Sequence, residues 1–167
     1  MTGLTSDLTD EQYAAIGKVV CEWAHVEFMT RHLIGAICDM TMAECRVATA
    51  KLQGDDLLNR LLKAAVMVGR DGGERSPLYQ HLAALVPTWN ELRLKRNDIV
   101  HFEWLALEDG TAGAVPAFYR GPPREQMVML TVAEATTCSL NMAAMHDRLL
   151  AVLLHWQDGK LEPLVHG

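Results

Sequence analysis

The strongest constraint on this chain is a repeated spacing. Ile16, Val19, Trp23, Val26, Thr30, Leu33 and Ile37 follow one another by three or four residues, the step that puts side chains on one face of an α-helix. The same step runs through Leu78, Leu82, Leu85, Trp89, Leu92, Arg96 and Ile99, and again through Ala135, Cys138, Met142, Met145, Leu149, Val152 and Trp156. Helices with such stripes must bury them, and the simplest solution is a helical bundle.

Local signals set the ends. Thr9-x-x-Gln12, Thr41-x-x-Glu44 and Thr131-x-x-Glu134 are capping boxes, in which the threonine hydroxyl and the side chain three residues on satisfy each other's backbone amides. They predict a long helix from about Asp10 to Cys38, a short one ending near Gly54, and a long last helix that stops at Asp158-Gly159. Asp55 and Asp56 favour the start of a third helix, through Val68, because a helix N-terminus attracts anions. A loop over Gly69 to Arg75 follows. Ser76-Pro77 then starts a helix reaching Ile99, with a kink at Pro87. After His101 the period changes. Trp104 to Leu107, Val115 to Tyr119 and Met127 to Leu130 are β-prone runs, separated by Asp109-Gly110 and Gly121-Pro122-Pro123. The expected architecture is an all-α bundle of four to five helices in a single domain, residues 1–167. A small antiparallel β-hairpin insert at about 102–130 falls between the last two long helices.

Half of the 167 residues are apolar and 22% are charged, enough to bury a core without disulfides or metals. The longest apolar run, Leu149 to Leu154, falls well short of the ~20 residues that span a bilayer. The first residues include Ser6, Asp7, Asp10 and Glu11, without the basic-then-apolar pattern of a secretory leader. The expectation is a soluble cytoplasmic protein without a membrane partner. Cys21, Cys38, Cys45 and Cys138 form no C-x-x-C pair and read as free, buried thiols. No H-E-x-x-H is present, and His25 and His32 are too far apart along a helix to share an ion, so no metal and no cofactor are expected. Net charge is −6, which excludes nucleic-acid binding through a broad basic face. Residues 51–100 alone carry more basic than acidic side chains, so any RNA contact would be local and lie there.

Arg96 breaks its stripe, sitting where Leu92 and Ile99 predict an apolar residue. A guanidinium there must meet an acid or line a pocket or interface, because an unpaired buried charge costs several kcal/mol. Asn97 and His101 are four apart, so Asn97 can orient the imidazole. Arg96 and His101 are five apart, about 140° around the helix, and a long arginine can still reach the ring at the helix end. On spacing alone the structural reading comes first: Arg96 paired with a buried acid such as Glu27, and His101 serving as a cation at a helix C-terminus. Glu27 itself reads as an i,i+4 partner of Arg31. Trp89, Trp104 and Trp156 read as core or dimer contacts.

The run Arg96-Asn97-Asp98-Ile99-Val100-His101 resembles the R-x4-H signature of the HEPN (higher eukaryotes and prokaryotes nucleotide-binding) superfamily. There too a polar residue commonly follows the arginine, late in a long helix that precedes one last long helix. The resemblance covers roughly Thr9 to Gly159. It implies a homodimer whose two motifs meet in a cleft near the two-fold axis. It also implies one of two functions: a metal-independent endoribonuclease of toxin or defence type, or a non-catalytic dimeric binding or regulatory module. In the first, Arg96, Asn97 and His101 are the catalytic candidates, Arg93 and Lys95 the substrate-binding ones, and RNA the substrate. A partner antitoxin or nucleotidyltransferase is a further implication. One toxin subgroup has a modifiable tyrosine two residues after the histidine, where this chain has Glu103.

Overall fold

A computed structural model describes residues 8–69, 73–106, 112–116 and 128–164. The chain is mostly helical. Its described helices are α1 (Asp10–Ile37), α2 (Met42–Thr49), α3 (Gly54–Val68), α4 (Pro77–Ala83), α5 (Val86–His101) and α6 (Val132–Gln157), with a single 3-10 turn at Gly73–Arg75. All three capping boxes form. Thr9 N–H donates to Gln12 Oε1 at 2.8 Å, and Gln12 N–H to Thr9 Oγ1 at 3.2 Å. Thr41 with Glu44 and Thr131 with Glu134 repeat the exchange. Hydrogen bonding to Thr41 holds the Glu44 carboxyl below its ordinary value.

The single helix expected from Ser76 to Ile99 is instead two, which raises the number of described helices to six. α4 ends at Ala83, and Leu85 N–H turns back to Leu82 O at 3.1 Å. Pro87 then stands as the second residue of α5, where its missing N–H costs nothing. It breaks the helix rather than kinking it, since further in it would remove a bond and clash with the preceding turn.

After α5 the backbone forms β1 (Phe102–Ala106), β2 (Ala112–Pro116) and β3 (Val128–Leu130), antiparallel in that order. Phe102 stands opposite Pro116, Ala106 opposite Ala112, and Ala112 opposite Leu130. The turns expected at Asp109-Gly110 and Gly121-Pro122-Pro123, and the residues Leu107 and Phe118 to Tyr119, lie outside the described residues. So do positions 70–72 of the expected loop.

The chain divides into two compact units, each made of separated stretches. One joins Met1–Trp23 to Glu91–Met142, the other Ala24–Asn90 to Ala143–Gly167. The second is held along the flank of α1. Glu27 Oε1 accepts the Gly54 N–H at 3.1 Å, and Arg31 Nη2 donates to the Leu52 carbonyl at 2.9 Å and to Glu27 Oε2 at 3.5 Å. Gly54 has φ +48°, a left-handed conformation that a side chain would strain. At Gly35 an added Cβ would lie 3.3 Å from Cys45, so α1 and α2 touch closely there. Leu33, Leu57, Leu61, Leu82 and Trp89 are buried in this unit, and each such side chain contributes about 1.5–3 kcal/mol. Thr30 and Thr49, buried among them, return their hydroxyls to the Val26 and Cys45 carbonyls at 2.8 Å.

The first unit buries Ala15, Val19 and Trp23 of α1, Leu92 and Ile99 of α5, and Ala135, Cys138 and Met142 of α6. The apolar stripes read from sequence are thus largely the buried ones, with Ile16, Leu85 and Trp156 half-buried. The cysteines are a correction. Cys45 and Cys138 are buried, but Cys21 and Cys38 are exposed: helical periodicity turns Cys21 away from the stripe, and Cys38 stands in the turn just after α1. Burial pushes the Cys138 thiol above its ordinary value. No described helix is long and apolar enough to cross a membrane.

Candidate functional site

The last nine residues of α5 carry Arg93, Lys95, Arg96, Asn97 and His101, all in the first unit. Leu92 and Ile99, both buried, fix the rotation of this segment. Arg96, on the same face by sequence, is half-buried rather than part of the core. Its Nε is shielded from solvent and has no hydrogen-bond partner. Its Nη1 reaches out of the apolar layer and donates to Asn97 Oδ1 at 3.1 Å and to His101 Nε2 at 3.0 Å. Among the described residues neither of these partners is an acid.

The arginine–histidine contact fixes the direction of its bond. A guanidinium only donates, so His101 Nε2 must accept. The imidazole in this geometry is neutral and carries its proton on Nδ1, an assignment that follows from the hydrogen-bond network. His101 itself is exposed at the final residue of α5. The structure therefore joins a guanidinium and an imidazole at an exposed helix end.

Asn97 does not hold the imidazole as its i,i+4 spacing suggested. Its side-chain oxygen is taken by Arg96, which is closer in sequence and a stronger, charged donor. Among the described residues no hydrogen bond joins Asn97 to His101, and Arg96 stands between them. Lys95 is exposed and bonded to Glu91 Oε1 at 2.8 Å, and this bond raises the lysine's pKa. Arg93 is half-buried beside it in sequence. Glu27, read as an anchor for Arg96 or a partner of Arg31, pairs with Arg31 and caps α3 through Gly54.

Trp104 is the residue whose part the spacing did not convey. Its indole Nε1–H donates to the Ile99 carbonyl at 2.7 Å, one of the last four carbonyls of α5 that no intrahelical amide can satisfy. Trp104 also lies with Gln12, Ala15 and Ile16 of α1 and Thr131, Val132 and Ala135 of α6 around a cavity of about 10 Å³. It thus ties the end of the helix that carries His101 to the middle of β1. A tryptophan three residues past a helix end was the available signal.

A larger cavity, about 260 Å³, lies in the second unit between Val68, Pro77, Leu78, Trp156 and Leu161. Among the described residues no titratable side chain lines it. Among the described residues no group of three or more His, Cys, Asp or Glu side chains is placed to hold a metal ion. Compared with models of known protein families, with curated proteins and with solved structures, the chain matches none of them.

Proposed function

We propose that the chain is a HEPN-like, metal-independent endoribonuclease of toxin or defence type, acting in the cytoplasm as a homodimer. The observation that carries this reading is the 3.0 Å contact between Arg96 Nη1 and His101 Nε2 at the exposed end of α5. A phosphodiester arriving there would draw the guanidinium to its non-bridging oxygens, which are better acceptors than a neutral imidazole. That exchange releases the Nε2 lone pair beside the substrate. His101 then takes the proton of the ribose 2′-hydroxyl, and the 2′-oxygen attacks the adjacent phosphorus. Arg96 stabilises the charge that gathers on the phosphoryl oxygens. The second copy's histidine, released from its own arginine and protonated at Nε2 from solvent, gives that proton to the departing 5′-oxygen, leaving a 2′,3′-cyclic phosphate and a 5′-hydroxyl. Asn97 positions Arg96, and Arg93 and Lys95 bind flanking phosphates, Lys95 after releasing Glu91.

The net charge of −6 and the Lys95–Glu91 pair favour a second reading, a non-catalytic dimeric module whose Arg96–His101 pair only binds an anion. One assay separates the two. Purified protein is incubated with structured and single-stranded RNA, with EDTA present throughout. Cleavage leaving cyclic phosphate ends, and lost on the order of 10²–10⁴-fold in His101→Ala, is the expected result. Cleavage that persists in His101→Ala, or stops on adding EDTA, refutes the mechanism. An inert wild type leaves the binding module. An antitoxin or nucleotidyltransferase partner would be sought by co-purification.

A further inference from the structure

The His101 ring does not anchor itself. It is exposed, and among the described residues its one hydrogen-bond partner is Arg96 Nη1 at 3.0 Å. The two residues are five apart, about 140° around the helix. Their contact therefore requires α5 to stay helical to its final residue. Helix ends fray, because the last four carbonyls have no intrahelical partner. Whatever holds the last turn of α5 in place decides whether the pair forms.

Ile99 holds it from two sides. Its side chain is buried, which anchors one face of the turn in the apolar layer. Its carbonyl is held from outside the helix. In a longer helix that carbonyl would accept the Glu103 N–H, but Glu103 stands in β1, opposite Val115. The Trp104 indole N–H takes the vacant place, donating to Ile99 O at 2.7 Å.

Trp104 is itself closely seated. It is half-buried, and the space it shares with Gln12 and Ile16 of α1 and Thr131 and Val132 of α6 is only about 10 Å³, no more than about one water. Gln12 and Thr131 belong to the capping boxes of those two helices, so the far wall of the seat is fixed. The backbone of Trp104 lies opposite Ala114 of β2, and β2 pairs with β3. The indole thus reaches the end of α5 from a strand of the small sheet.

We propose that Trp104 is a positioning residue: it makes the Arg96–His101 contact conditional on the seating of β1, so that displacing the sheet separates the guanidinium from the imidazole. The sheet is then a means of regulating the site. The inference deepens the ribonuclease reading, and its effect on cleavage rests on that reading. Its effect on the pair does not. With β1 displaced, the last turn of α5 loosens, Arg96 keeps Asn97, and His101 swings free.

The signature is the tautomer of His101. Held by Arg96, the neutral ring carries its proton on Nδ1. Released, it exchanges between both tautomers. Nitrogen-15 spectra of histidine-labelled protein read this at about pH 8.5, above the ordinary titration range of imidazole. The His101 signals are assigned by their loss in His101→Ala. The wild type shows the Nδ1–H form. Trp104→Phe shows a mixture, with helical circular dichroism retained. So does benzothienylalanine at position 104, which keeps the indole outline and lacks only the N–H. Thr41→Ala removes a cap from α2 without touching α5, and leaves the tautomer unchanged, which separates positioning from a general loss of stability. In RNA cleavage both position-104 variants lower kcat about tenfold or more at near-constant KM. A wild type without the Nδ1–H form, position-104 variants that keep it, or an equal shift in Thr41→Ala overturns the inference, even where cleavage depends on His101. An inert wild type whose tautomer still follows Trp104 supports the inference and removes the ribonuclease reading alone.

Discussion

Arg31 and Arg96 are both half-buried arginines on helices with buried apolar stripes, yet their surroundings make them different instruments. Arg31, on the seam between α1 and α3, spends its guanidinium on the Leu52 carbonyl and on Glu27, and Glu27 in turn caps α3. Its charge is cancelled locally and its bonds hold two elements together. Arg96, at the end of α5, donates to Asn97 and His101, both uncharged in this geometry. Its positive charge is left uncancelled by those partners, beside an exposed imidazole. An arginine with an acid and a carbonyl is committed to the fold. One with neutral acceptors can exchange them for an anion.

Exchanging the two roles gives the largest expected effect. On the proposed mechanism, Arg96→Lys loses RNA cleavage by about 10²-fold or more, equivalent to at least ~2.7 kcal/mol of transition-state stabilisation, since an ammonium lacks the planar fork able to hold two phosphoryl oxygens. Its urea midpoint stays near that of the wild type. Arg31→Ala does the reverse. It leaves Glu27 and the Leu52 carbonyl short of a partner and destabilises the fold by about 1–3 kcal/mol, read as a lower urea midpoint with unchanged slope. A cleavage defect in Arg31→Ala without loss of stability would break the comparison.

Three smaller effects sharpen it. Gly54→Ala forces a side chain into the left-handed region beside the Glu27 cap and costs about 1–2 kcal/mol, measured by thermal unfolding. Trp104→Phe removes the bond to the Ile99 carbonyl and costs about 1 kcal/mol. Amide hydrogen exchange over the last turn of α5 should quicken more than exchange in α3. Thr41→Ala removes the α2 cap at a cost of about 1 kcal/mol. The same cap gives a pH dependence. Glu44 has a folded-state pKa below its ordinary value of 4.5, so its contribution is present above the unfolded value and is lost as pH falls through the folded one. Stability in Glu44→Gln should therefore vary less with pH at and below 4.5 than in the wild type.

Much of this was legible in the residues because it depends on neighbours within four positions. The capping boxes at Thr9, Thr41 and Thr131 are local exchanges of two hydrogen bonds, and each formed where its pattern stood. The stripe residues Val19, Leu33, Leu92 and Met142 are buried because a helix repeats its faces whatever it packs against. The break at Pro87 was misread as a kink. The decision there rested on whether the turn at Leu85 could close on Leu82, which no local preference sets.

The sequence by itself determined where most of the helices begin, which faces they bury, and that Arg96 could not be an ordinary core residue. Only tertiary structure decided which partner each polar group takes. Glu27 went to Gly54 and Arg31, and Asn97 turned to Arg96 instead of His101. Trp104 found the Ile99 carbonyl, and Cys21 and Cys38 stayed outside. Periodicity is a property of one helix, fixed by 3.6 residues per turn. Partner choice compares donors and acceptors brought within about 3 Å by the fold, where charge and reach decide between candidates that spacing leaves equal.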